Sequence, residues 1–100
     1  TILINSDRPP GTYAALAKRF VVSVVDASGI ARRHGLGSKT QPIVNTAILG
    51  AFAASSGLMK LDSVCSSITE AIPQRPEINV AAAREAAAAV VRVGTEVQHA

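Results

Sequence analysis

A chain of 100 residues, with ten Lys and Arg against seven Asp and Glu, a net charge of +3 and one Tyr and two Phe as its aromatics, has room for one small domain. Such a domain buries about two-thirds of the surface its unfolded chain exposes. The cations are scattered, no run exceeds two, and no aromatics lie between them to stack bases, which argues against nucleic acid as a partner.

The longest apolar stretch, Ile43 to Ala54, carries Asn45 and Thr46 and falls well short of the roughly twenty residues of a membrane span. Cys65 is the one cysteine, so an intrachain disulfide and a cysteine-held metal cluster are excluded, and a reduced, cytoplasmic compartment fits. With Tyr13, Phe20 and Phe52 as the aromatic residues, the core has to be built from close contact between small side chains. Burial missing from such a core is expected from a partner chain. The opening Thr1-Ile2-Leu3-Ile4-Asn5 has neither an initiator Met nor a signal peptide, and reads as a cut through a longer protein or a product of processing.

Ile2-Leu3-Ile4 is a short β-prone run closed by the turn signals Asn5-Ser6-Asp7 and Pro9-Pro10-Gly11. Tyr13 to Arg19 has room for two helical turns. Phe20 to Val25 is the clearest strand, continuous and β-branched as expected when both faces are covered. Ala27 to His34 then reads as a helix with Asp26 or Ser28 as N-cap and Gly35 past its end. Two strands joined through a helix imply a parallel β-α-β arrangement with a right-handed crossover.

Gly35 to Gln41 is a polar loop, and Pro42 stands at the first turn of the next helix. Ile43 to Ser56 is apolar on nearly every side and is expected to be buried all round. Its small residues Ala47, Gly50, Ala51 and Ala54 form a stripe for close approach of another backbone, and are the expected interface. Gly57 stops this helix. Leu61 to Ile72 is amphipathic, with Leu61, Val64, Cys65, Ile68 and Ile72 on one face. After the break at Pro73-Gln74-Arg75-Pro76, Asn79 is the expected cap of an alanine-rich helix from Val80 to about Val93. The outline is an α/β partial domain over residues 1–100, with a β-α-β-α part over about 1–41, a helical part over 42–97 and a tail over 98–100. Two strands rarely constitute a complete parallel sheet, so further strands are expected from sequence outside these residues.

No catalytic constellation emerges. His34 lies at a helix C-terminus, where a cationic imidazole is favoured by the helix dipole, and His99 lies in the tail. No Ser sits in G-x-S-x-G, and no base is spaced to activate one, which leaves an independent hydrolase without a nucleophile–base pair. Cys65 is on the apolar face of its helix, the place of a structural thiol. Asp62 and Glu70 fit ordinary helix electrostatics. Gly35-Leu36-Gly37 follows a helix instead of a strand, unlike a phosphate cradle, although it leads toward a helix N-terminus with Lys39 close by. Asn45 is polar in an apolar helix and needs a partner, since an unpaired buried amide costs about 1–3 kcal/mol. It ties the helix to a neighbouring backbone, or faces an interface or ligand.

The block Asp26-Ala27-Ser28-Gly29-Ile30-Ala31, then Gly35, then Asn45-Thr46-Ala47-Ile48-Leu49-Gly50-Ala51-Phe52 resembles the catalytic gamma domain of pyruvate and other 2-oxoacid:ferredoxin oxidoreductases. Ile2 to Ser6, Leu58 to Ile72 and Asn79-Val80-Ala81-Ala82-Ala83 fall in the order of that family's C-terminal half. The family's glycine-rich turn and first strands have no counterpart in this sequence.

The resemblance implies the C-terminal part of a Rossmann-like layered domain within a complex that decarboxylates a 2-oxoacid on thiamine diphosphate and hands the acyl group to coenzyme A. It implies that thiamine diphosphate, Mg²⁺ and iron–sulfur clusters sit on partner domains, that alpha, beta and iron–sulfur chains are the partner subunits, and that the complex serves ferredoxin or another electron acceptor. It places Asn45 and Thr46 at a coenzyme A contact or an interface, and the missing N-terminal half of the domain against this one. The competing reading is a non-catalytic Rossmann-like interaction or nucleotide-binding module.

Overall fold

The two β-branched runs become neighbouring strands. In the computed structural model, which describes residues 1–38, 43–72 and 75–94, β1 (Ile2–Asn5) lies parallel to β2 (Val22–Val25), with Ile2 beside Val22 and Ile4 beside Val24. The Ile2 N–H donates to the Val21 carbonyl at 2.7 Å and the Ser6 N–H to that of Val25 at 2.9 Å. A 3-10 turn (Pro10–Tyr13) and a short helix α1 (Ala14–Ala17) connect them. The helix expected over Tyr13–Arg19 stops early because the next amides turn back three residues, Lys18 to Ala15 and Arg19 to Leu16. Phe20 and Val21, expected within the strand, precede it and are 49% and 40% exposed.

β2 is central and buried along its whole length. Its second edge carries β3 (Val91–Arg92), antiparallel, with Val24 beside Val91 and Ser23 beside Arg92. This corrects the expectation of two parallel strands and a last helix reaching Val93: the sheet is three-stranded and mixed. The helix ends at Ala89, and Val90 is already extended, with ψ 134°. Val90, Val91 and Val93 lose rotamer freedom in a helix. Here they serve the sheet, with Val93 buried against Val22 and Val24.

Alternation along the strands divides the core. Ile2, Ile4, Val22 and Val24 pack with Tyr13, Leu16 and Ala17 on one face. On the other, Leu3 and Val25 pack with helices α2 (Ala27–Arg33), α3 (Asn45–Ser56) and α5 (Pro76–Ala89) through Ile30, Ala47, Ala51, Ala82 and Ala86. Helix α4 (Leu61–Ala71) joins a separate cluster, in which Val64 and Ile68 pack against Ala53 and Ala83.

Local signals set the helix ends. Asp26 is the N-cap of α2, its Oδ1 accepting from the Gly29 N–H at 2.9 Å. The helix closes in a Schellman motif: Gly35 takes φ +70°, its N–H donates to the Arg32 carbonyl, and the Leu36 N–H donates to that of Ala31. Gly57, at φ +68°, ends α3. Pro76 opens α5 behind Arg75, which is itself left-handed at φ 55°. The expected cap Asn79 therefore lies inside α5, where it is buried.

Helices α3 and α5 meet through small residues. A Cβ added at Gly50 would stand 2.0 Å from the Ala83 carbonyl oxygen. Ala47, Ala51, Ala82, Ala83 and Ala86 are all 0% exposed. The core is thus made as the composition requires, by bringing two backbones close where bulky side chains are lacking.

Candidate functional site: a groove between α3 and α4

The four small residues of α3 split between two surroundings. Ala47, Gly50 and Ala51 are covered by α5 of the same chain, whereas Ala54 is exposed. The close approach foreseen for the stripe is therefore made within the chain. Fully covered side chains cannot touch a second polypeptide while α5 is in place, so of the four expected interface residues only Ala54 is open to one. The expectation that α3 is buried all round is corrected as well: Asn45 is exposed and Leu49 is 43% exposed, because α2, α4 and α5 leave one side of the helix uncovered.

Asn45 and Thr46 are adjacent but differ in environment. Asn45 is the first residue of α3, and its Oδ1 accepts from the Thr46 N–H at 2.9 Å. Being exposed, it is not the buried amide that the sequence suggests. That group is Asn79, 7% exposed, which sequence reasoning assigned to a cap. Thr46, 2% exposed, donates its hydroxyl to Asn79 Oδ1 at 3.0 Å. The Asn79 amide donates to the Arg75 carbonyl at 3.1 Å. This chain of bonds ties α3 to the left-handed entry of α5 and leaves no unpaired buried side-chain atom among the described residues.

Asn45, Thr46 and Leu49 line one side of an open groove of about 430 Å³, faced across it by Ser63, Ser67 and Ile68 of α4. Val64, Ala71, Ile72 and Met59 complete it, so among the described residues no charged side chain lines it. Sequence reading missed Met59, Ser63 and Ser67. The available signal was the row Ser63, Ser67 and Ala71 at four-residue spacing on α4, small groups beside the apolar stripe.

A second polar cluster lies at the C-terminal end of α2. Glu85 of α5 accepts from Arg33 and pairs with His34 Nε2 at 2.9 Å. The Arg33 hydrogen bond, followed by that from His34, holds the Glu85 carboxyl below its ordinary value. His34 is thus both a helix-end residue and a tie to α5. At the other end of α2, Asn5 Oδ1 accepts from the Ala27 and Ser28 N–H groups at 2.9 and 3.3 Å, joining the end of β1 to the helix. Cys65 is buried, and Asp62 forms an exposed ion pair with Arg84 at 3.3 Å. No group of three or more His, Cys, Asp or Glu able to hold a metal occurs among the described residues. His99, Lys39 and Pro42 lie outside those residues. Among those residues, no helix is long and apolar enough to cross a membrane.

A mixed sheet with helices packed on it, and a groove at its helical end lined among the described residues by apolar and small uncharged side chains, defines an α/β domain. More specifically, the chain belongs to the pyruvate ferredoxin/flavodoxin oxidoreductase family, whose model matches residues 1–89. It is 46% identical over 66 residues to the pyruvate synthase subunit PorC of Methanothermobacter thermautotrophicus, covering 65% of this chain and 34% of that one. It is 44% identical over 88 residues to the pyruvate/ketoisovalerate oxidoreductases common subunit gamma of Pyrococcus abyssi, covering 85% of this chain and 45% of that one. The crystal structure of the pyruvate oxidoreductase subunit PORC of Thermotoga maritima matches with a TM-score of 0.71 at 23% identity, over 91% of this chain and 51% of that one. The chain therefore spans between a third and a half of the curated relatives it matches.

Proposed function

We propose that this chain is part of the gamma component of a thiamine diphosphate-dependent 2-oxoacid:acceptor oxidoreductase, a complex that oxidatively decarboxylates a 2-oxoacid to its acyl-coenzyme A. The observation carrying this reading is the family match over residues 1–89, supported by relatives whose names mark them as subunits. The chain supplies scaffold and subunit contact to a cytoplasmic assembly. Its remaining partners are alpha, beta and iron–sulfur chains and the N-terminal half of the gamma domain, with ferredoxin or another acceptor taking the electrons.

The residues present do not fit the redox cofactors of such a complex. Iron–sulfur clusters are held by several cysteine thiolates, and this sequence has one cysteine, buried on α4. We therefore assign the clusters to partner domains, and place thiamine diphosphate with its Mg²⁺ there as well. Coenzyme A enters as cosubstrate, and Asn45, exposed at the start of α3, is the residue we assign to a contact with it or with a neighbouring subunit.

The test is reconstitution. The full-length gamma polypeptide containing these residues is co-expressed with the other subunits, and coenzyme A-dependent reduction of a viologen dye by a 2-oxoacid is followed. Activity and a single co-eluting complex are expected with the gamma polypeptide present, and neither without it. Full activity in its absence, or a gamma polypeptide that elutes alone, refutes the assignment.

A further inference from the structure

We draw no further inference here: the strongest candidate, the groove between the first turns of α3 and one side of α4, carries none, because this chain spans between a third and a half of its curated relatives and nothing in the structure shows what covers it.

Discussion

Replacing Gly50 by alanine adds one methyl group at the tightest point of the helix pair. The new Cβ would stand 2.0 Å from the Ala83 carbonyl oxygen, 2.6 Å from its carbon and 2.7 Å from its Cα. All three atoms are backbone, so no rotamer change relieves the clash, and α5 must retreat by more than an ångström to restore ordinary contact. Ala82, Ala83 and Ala86 move with it, and each is fully buried. Alanine favours the helical state over glycine by about 0.8–1.0 kcal/mol. Overpacking costs about 1–3 kcal/mol and occasionally more, and a rigid obstacle belongs at the upper end. The net expectation is a loss of about 2 kcal/mol, the difference between these two effects. For a domain of this size that lowers the melting temperature by about 8–16 °C. Thermal unfolding followed by circular dichroism measures it, with Gly11→Ala as the control because nothing lies within 4 Å of that position. A Gly50→Ala protein melting at or above the wild-type temperature refutes the close contact between α3 and α5.

Thr46→Val keeps the shape of the side chain but leaves Asn79 Oδ1 buried without its donor. A loss of about 1–3 kcal/mol in urea titration is expected, and an unchanged midpoint would show that the bond contributes nothing net. Asp26→Ala removes the acceptor for the Gly29 N–H and should cost about 1 kcal/mol, whereas Asn at that position should restore most of it; equal losses in the two variants contradict a capping role.

Glu85 titrates below its ordinary value, so its hydrogen bonds with Arg33 and His34 add stability above the unfolded carboxylate range. That contribution is lost as pH falls through the lowered folded value. Glu85→Gln should therefore melt below the wild type at neutral pH, and the gap should close in acid. The effect is small because the Glu85 side chain is 37% exposed, and a gap that persists unchanged at pH 3, on the order of a unit or more below an ordinary carboxylate, counts against it.

Periodicity and punctuation alone determined much of this fold. Ile2-Leu3-Ile4 and the run ending at Val25 had to be strands, because β-branched residues without helical spacing suit a pleated surface. Asp26 and Gly35 bracket α2 as their chemistry requires, and the apolar face of α4 is the one read from its spacing. The order of these elements, with the Asn45–Phe52 motif, also carried the family resemblance.

What the tertiary structure decided is which partner each surface meets. The alanine stripe of α3 predicted a close neighbour, but a helical pattern cannot say whether that neighbour is internal or external, and α5 is the one that supplies it. Asn79 was legible as a cap because Asn favours caps, yet Pro76 fixes the helix start upstream and Thr46 holds Asn79 inside. Val91 and Arg92 form a strand because β2 has an open edge beside them, a fact absent from their own sequence. Local chemistry acts along the chain, whereas pairing and burial act across it; only the fold could bury Ala47, Gly50 and Ala51 of α3 and leave Ala54 exposed.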